Sequence, residues 1–430
     1  MKIIGIIAEY NPFHNGHAYQ ITTIRERTGA DFVIVAMSGD FVQRGAPAIL
    51  DKYARAQMAL SCGADLVLEL PALWATASAE HFAMAGVTLF EKMGLVDGIC
   101  FGAETDNLPL LTAIADILAD EPEAYRTLLA SYLKTGVAFP KARASALADF
   151  VAMHETHLTD DLHEVLSSPN NILAIEYLKA LRRRHSSMTP YLIRREGSGY
   201  HDTALAPTAS ATGIREALFS GNASISVSMP ATAYTILQEY QVMAPLLDAN
   251  DFSPILGYRL LTLSPKELTA FGDCSADIAN RLYKNRPAFS SYTSFAAQNK
   301  RRDVTYTRMS RILLHIVLSI TDEDYAHFAS CDYIPYLRIL GFRTAATRLF
   351  GELKAAAQVP LISKLADASA ILSPDALSLL DKDIFAADLY EQVKVLKLQT
   401  DNSFPCGVPA SDKKRIPRSE YSREILRISD

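Results

Sequence analysis

The sequence predicts an α/β protein built on a doubly wound parallel sheet, followed by a mainly helical region. Three observations predict it. Apolar runs at Ile3–Ile7, Phe32–Met37, Leu66–Leu70 and Gly98–Phe101 recur at roughly thirty-residue intervals with helical patterns between them, the rhythm of βαβ units. Each run is followed by a polar cluster, at Glu9–His17, Ser38-Gly39-Asp40, Glu69-Leu70-Pro71 and Gly102-Ala103-Glu104. Such sheets bind ligands beyond the C-terminal ends of their strands. From about residue 230 the strand rhythm stops and apolar residues take helical spacing.

The elements follow in order. Ile3–Ile7 reads as the first buried strand, and Asn11-Pro12 ends it. A helical pattern begins near Gly16-His17, with Tyr19, Ile21 and Ile24 spaced for one face. After the fourth strand, helices are expected over Leu108–Leu118, Glu123–Leu133, Lys141–His154 and Asn170–Leu181, the last opened by Pro169. Tyr191-Leu192-Ile193 reads as a fifth strand ending at Arg194-Arg195, followed by a Gly-rich loop, Gly197–His201. Ser210-Ala211-Thr212-Gly213-Ile214-Arg215 opens another helix. Tyr234–Tyr240, Ser275–Tyr283, Arg308–Ile320 and Ile334–Leu340 then suggest a helical second region. The expected organisation is a front domain, residues 1–229, a mainly helical domain, 230–400, and a basic, partly mobile tail, 401–430, with Lys413, Lys414, Arg415 and Arg418.

Composition narrows the function classes. Hydrophobic residues make up 49% of the 430 and charged residues 21%, an ordinary soluble balance. A net charge of −6 excludes a globally basic nucleic-acid binder, so a polyanion must be held by a local patch. The densest one is Lys300-Arg301-Arg302 with Tyr306, Arg308 and Arg311, where basic residues interleaved with tyrosine suit an RNA backbone and unstacked bases. The five cysteines, 62, 100, 274, 331 and 406, are scattered without C-x-x-C spacing, which points to reduced thiols and a cytoplasmic protein. No run is long enough for a membrane span, and the chain opens without a signal-peptide pattern.

The chemistry concentrates in Ala8–His17, AEYNPFHNGH. A strand running into a helix N-terminus is an anion site, because the first amide N–H groups lack partners and the helix dipole adds to them. His14 and His17 can donate there to phosphate oxygens, and Gly16 lets a flat base or ribose approach the backbone. The favoured reaction is attack on the α-phosphate of a nucleotide with pyrophosphate leaving. The bland alternatives are a histidine that caps the helix, one satisfied in a core, or an incomplete zinc pair; no metal ligand set is assigned. Arg44, after the second strand, can hold a carboxylate or phosphate, and Gly102 can let a base or ribose pack on backbone. Ser210, Thr212 and Arg215 can face the β- and γ-phosphates of ATP, or form a helix cap beside a solvated arginine.

Taken together, EYNPFHNGH, MSGDFVQRG, LELP, FGAE, SPNNILAIEY, RREGSGYHD, SATGIREAL, YTRMSRILL and PLISK resemble, in order, the tRNA(Met) cytidine acetate ligase family of the HxGH nucleotidyltransferase superfamily, from residue 1 to about 365. The resemblance implies a Rossmann-like nucleotidyltransferase fold and an enzyme that uses ATP, with or without Mg2+, to form acetyl-adenylate. It implies acetate and elongator tRNA(Met) as partners, with acetylation of the wobble cytidine. It also implies catalytic roles for His14 and His17. ATP contacts would fall on Ile7, Ala8, Glu9, Tyr10, Asn11, Pro12, Phe13, His14, Asn15, Gly16, His17, Ala18, Tyr19 and Gln20, and on Gly102, Asn170 and Arg195. Asn171 and Arg194 are the alternatives to the last two. Gly213 stands where relatives often carry Ser or Thr. The rival readings are an adenylyl- or cytidylyltransferase acting on a small phosphorylated acceptor, and a non-catalytic RNA- or nucleotide-binding protein.

Overall fold

The computed structural model describes residues 1–154, 162–195, 208–221, 223–400 and 416–429. The expected loop Gly197–His201 and the tail cations Lys413, Lys414 and Arg415 lie outside them. The strands are β1 (Ile3–Ala8), β2 (Phe32–Ser38), β3 (Phe41–Val42), β4 (Ala46–Pro47), β5 (Leu66–Leu70), β6 (Gly98–Ala103), β7 (Thr189–Arg194), β8 (Leu337–Arg343), β9 (Leu361–Ile362) and β10 (Leu426–Ile428). Among the helices, α1 (Asn15–Thr28), α2 (Lys52–Ser61), α3 (Ala79–Met93), α4 (Pro169–Arg183), α5 (Ala211–Phe219), α6 (Tyr306–Leu318), α7 (Asp322–Ser330) and α8 (Pro374–Thr400) shape the site and its surroundings.

One eight-stranded sheet runs β10-β8-β5-β2-β1-β6-β7, with β9 beside β8. Strands β5, β2, β1, β6 and β7 are parallel, in registers such as Ile6 opposite Val35 and Cys100. The chain leaves β1 for β2 on one side and, after β5, returns as β6 on the other. The strand order therefore reverses at β1, and a crevice opens there at the C-terminal edge. Alternate residues of β1 and β2 enter different cores. Ile3, Ile34 and Ala36 join Trp74 and Phe90 on one face, while Ile4, Ile6, Val33 and Val35 join Ile21, Ile24 and Met58 on the other. A sheet covered on both faces explains why these strands are apolar throughout.

The back half departs from expectation. Ile334–Leu340 was expected to be helical, but Leu337–Arg343 is a strand, antiparallel to β5. A short apolar run does not separate a buried strand from a buried helix by spacing alone. The open edge of β5 decides, and it places Arg338 opposite Glu69. Of the tail, residues 416–429 are described: Leu426–Ile428 pairs in parallel with β8, and Glu420 is 4% exposed.

A buried ion cluster joins these parts at the C-terminal ends of β2 and β5. Lys52 Nζ lies 2.8 Å from Glu69, 2.7 Å from Glu420 and 3.9 Å from Asp40. Arg338 lies 2.8 Å from Glu69 and also pairs with Glu420. None of the five side chains is more than 5% exposed. Burial pushes the Asp40 carboxyl up to about 7 against the pull of Lys52. For Glu420, Lys52 and Arg338 outweigh burial and hold the carboxyl down to about 2.

Candidate functional site

The loop from β1 to α1 is clamped through its backbone. The Glu9 carbonyl accepts from Arg55 at 2.6 Å, and the Asn11 carbonyl accepts from Arg215 at 2.7 Å. The Asn11 side chain accepts from the Ile49 N–H at 2.9 Å, and the Glu9 carboxylate from the Gln43 N–H at 2.9 Å. Tyr10 sits at φ 49°, a conformation that a non-glycine residue holds only when its surroundings impose it. Its buried ring packs edge-on against Phe13 at 4.9 Å and His17 at 4.7 Å. The Asn11–Pro12 bond is cis.

That clamp delivers His14 as the N-cap of α1, at φ −142° and ψ 175°. His14 Nδ1 accepts from the Gly16 N–H at 3.0 Å, and His17 Nδ1 accepts from the His14 N–H at 3.2 Å. The two histidines thus form a reciprocal capping box, a job usually done by Ser or Thr with Glu. Their rings stack at 3.7 Å. An Nδ1 that accepts a hydrogen bond carries no proton, so in each neutral ring Nε2 holds the hydrogen and donates. Burial, with Arg195 and Arg215 nearby, pushes the His14 imidazolium down to about 3. Burial, with His14 and Arg195, lowers His17 well below its ordinary value. Both rings are therefore neutral donors near pH 7. The capping alternative read from the sequence and the phosphate-donor reading are compatible, because each ring uses a different nitrogen.

A cavity of about 300 Å³ opens at this helix end, at the crevice beside β1. Of the residues singled out in the sequence, His14, Asn15, Gly16, His17, Tyr19, Gln20, Gly102, Arg195 and Ser210 line it. A Cβ on Gly16 would come within 2.9 Å of the His14 ring, so the stacked pair itself excludes a side chain there. A Cβ on Gly102 would sit 3.2 Å from Arg195 Cγ, which places the end of β6 directly under that guanidinium's stem. Burial lowers the Arg195 pKa, Glu104 opposes that, and Arg44 adds to it. Ser210 caps α5 by accepting from the Gly213 N–H at 3.2 Å.

The other expected residues stand behind the wall. Ile7 packs toward α3, where a Cβ on Gly86 would meet its Cδ1 at 2.4 Å. Ala8 ends β1, Glu9, Tyr10, Asn11, Pro12 and Phe13 form the clamped loop, and Ala18 packs against the core. Thr212 accepts from Arg215 at 3.0 Å and from Arg44 at 3.4 Å, and Arg215 reaches the Asn11 carbonyl. In this structure that trio ties α5 to the β1 loop. Asn170 donates to Glu104 at 2.6 Å. Asn171 accepts from the Glu104 and Thr105 N–H groups at 2.8 and 3.1 Å, while its own N–H reaches the Glu104 carboxylate at 2.9 Å. The P-N-N and F-G-A-E segments therefore interlock, with Glu104 as the unforeseen centre. Arg194, the alternative to Arg195, lines the cavity too, as do Ile193, Thr208 and Ala209, which were missed although Ile193 lies in a strand already read as pointing there.

The basic cluster is largely neutralised. Arg308 and Arg311 share Asp273, at 3.9 and 3.2 Å, and Arg301 pairs with Asp277 and Asp303. Among the described residues, Lys300 and Arg302 are exposed and form no ion pair. No helix of the described residues is long and apolar enough to cross a membrane.

Comparison with known proteins finds relatives along almost the whole chain. The HIGH Nucleotidyl Transferase family matches residues 1–403. The tRNA(Met) cytidine acetate ligase of Acetivibrio thermocellus is 38% identical over 91% of this chain and 94% of its own, and that of Thermoanaerobacter sp. strain X514 is 40% identical over 91% and 95%. The crystal structure of apo Thermotoga maritima TmcAL superposes with a TM-score of 0.90 at 28% identity over the whole of both chains. The same protein bound with alpha-thio ATP superposes at 0.88 and 27% identity, again over the whole of both. With its reciprocal histidine cap at the end of the first strand and relatives that match it almost end to end, this chain belongs to the tRNA(Met) cytidine acetate ligase family, within the HIGH nucleotidyl transferases.

Proposed function

We propose that this chain is an ATP-dependent ligase that activates acetate as acetyl-adenylate and acetylates the wobble cytidine of elongator tRNA(Met) to N4-acetylcytidine. The carrying observation is the capping box that fixes both His14 and His17 as neutral Nε2–H donors at a helix N-terminus on the cavity. The relatives' shared name and the alpha-thio ATP bound to the Thermotoga maritima protein support the choice of substrates.

Acetate has no leaving group, so an amine displaces nothing from it until it is adenylated. An acetate oxygen attacks the α-phosphorus and pyrophosphate departs. Negative charge then grows on the five-coordinate phosphorus oxygens, where preorganised donors stabilise the transition state more than the ground state. The histidines supply those donors beside the positive end of the α1 dipole, and Arg195 adds positive charge on the facing wall. The exocyclic amine of cytidine then attacks the acetyl carbonyl carbon, loses its proton, and AMP leaves. This second step needs no enzyme nucleophile, and both buried cysteines 100 and 274 have thiols pushed up to about 12 by burial.

The test is pyrophosphate exchange into ATP with acetate, paired with acetate incorporation into tRNA(Met). Acetate-dependent exchange without tRNA, and incorporation only with tRNA, are expected. Exchange driven by a small phosphorylated acceptor instead would favour the rival transferase. For tRNA binding, the exposed pair Lys300 and Arg302 replaces Arg308 and Arg311 as the first residues to neutralise, because the latter already serve Asp273.

ATP affinity should depend on the facing wall. Arg195→Ala and Gly102→Leu are each expected to weaken ATP binding about tenfold or more, the first through a lost charge-assisted contact and the second by displacing Arg195. Calorimetric titration with ATP checks this. Unchanged affinity in both variants would make Arg195 a structural side chain.

A further inference from the structure

Outside the site of the histidine pair, three side chains from two helices bring different donor atoms together. His327 lies on α7, Cys331 stands at the C-cap of that helix, and Asp375 lies in the first turn of α8. One ligand atom from each, His nitrogen, Cys sulfur and carboxylate oxygen, lies within 4.8 Å of the others. We propose that His327, Cys331 and Asp375 form a binding site for a zinc-class divalent cation that staples α7 to α8.

The geometry fits that ion class. A tetrahedral zinc with bonds of about 2.0 Å to nitrogen or oxygen and 2.3 Å to sulfur holds a nitrogen, an oxygen and a sulfur roughly 3.3–3.5 Å apart. His327 Nε2 and Asp375 Oδ1 already stand 3.3 Å apart. The thiol reaches the remaining position by rotation of a short, exposed side chain. His327 and Cys331 are four residues apart, so they project from one face of α7. A nitrogen, sulfur and oxygen set selects zinc or a neighbouring transition ion over magnesium or calcium, which take oxygen alone. Three protein ligands leave a fourth position for water.

The backbone that presents them is held independently of any ion. Asp324 on α7 pairs with Lys382 on α8 at 2.9 Å, which sets the two helices in register. Thr321 and Asp324 close a capping box at the start of α7. Immediately after Cys331, Asp332 is pinned by Lys92 at 2.5 Å and by Arg184 at 2.7 Å. Asp332 is thus committed elsewhere, and Cys331 is fixed at the end of a rigid turn. An exposed His–Asp pair alone would contribute little to stability and gives no reason for a thiol beside it.

The experiment uses the full chain, stripped of metal with a chelator and kept reduced. Zinc is titrated against a chromophoric competitor, and cobalt(II) is added separately as a spectroscopic probe. Stoichiometric zinc binding, a cobalt–thiolate charge-transfer band and a rise in melting temperature with zinc are expected. Cys331→Ser should abolish the cobalt–thiolate band, and His327→Ala and Asp375→Asn should each weaken zinc at least tenfold. All three positions are on the surface, so the variants should melt like the metal-free parent. Absence of stoichiometric zinc binding at micromolar metal would overturn the site. Binding that survives unchanged in Cys331→Ser would overturn it too.

Discussion

His14→Ala and His17→Ala are each expected to lower acetate-dependent ATP–pyrophosphate exchange by roughly 10²–10³, about 3–4 kcal/mol of transition-state stabilisation, by analogy with removal of one preorganised oxyanion donor. Each change also deletes half of the capping box, which costs about 1 kcal/mol of stability. A small loss of melting temperature is therefore expected alongside a large loss of rate. His14→Asn separates the two effects: asparagine is a good N-cap, so the melt should recover while the exchange stays low. The pH profile carries further information. His14 is pushed down to about 3 and His17 also lies well below its ordinary value, so both rings stay neutral throughout the neutral range. The exchange rate should then show no histidine-like inflection between about pH 6 and about pH 8. For folding, the sign follows from burial. A histidine whose folded pKa is depressed favours the folded state above the unfolded value near 6.5, and that contribution is lost as pH falls from there toward the folded value. Full exchange activity in both alanine variants would remove the histidines from the chemistry and leave them as a helix cap.

The parts of the fold and site that were legible share one property: local sequence determined them. Ile3–Ala8 and Leu66–Leu70 are uninterrupted apolar runs, and a parallel strand buried on both faces requires that pattern. His14 and Gly16 follow the strand end at Ala8 by six and eight residues, in the turn that opens the next helix, so their place at the helix terminus followed from the order of strand, turn and helix. Glu104 illustrates the limit. Its segment was recognised, yet its role depends on Asn170 and Asn171, brought across from α4 by the pairing of β6 with β7. Arg215 was expected at the phosphates because Ser210, Thr212 and Arg215 share a helix start. In the fold it reaches the Asn11 carbonyl, more than two hundred residues earlier in the chain, and no spacing rule encodes that. The strand β8 was misread for a related reason. Its identity is set by the unpaired edge of β5, which only exists once the sheet has assembled. The same holds for Asp375 beside His327 and Cys331, since the distance that matters is across two helices.

Lys52→Met should have the largest effect on stability, a loss of about 3–5 kcal/mol, because it removes one partner from a buried ion cluster. Methionine fills similar volume, so the loss reports charge and not a cavity. Glu69 and Glu420 would then keep Arg338 as their close cation, while Asp40 would keep only the charge of Arg55. The structural consequence is local to the junction of halves. Glu420 anchors the segment that carries β10, Glu69 ends β5, and Arg338 belongs to β8, so the variant loosens the sheet edge where front and back halves meet. The pH dependence has a definite sign. In the parent, burial already holds Asp40 up to about 7, while Lys52 is the first of the charges that keep Glu420 down to about 2. Without Lys52 both folded pKa values rise, and a carboxyl whose folded pKa is raised favours folding at low pH and loses that contribution as pH rises through the folded value. The stability deficit of the variant should therefore be larger at about pH 8 than at about pH 6, where protonation relieves the unpaired carboxylates. Urea unfolding of parent and variant at both pH values measures this directly. A deficit under about 1 kcal/mol, or one that grows as the pH falls, would show that the remaining guanidinium groups of Arg338 and Arg55 compensate the three carboxylates without Lys52.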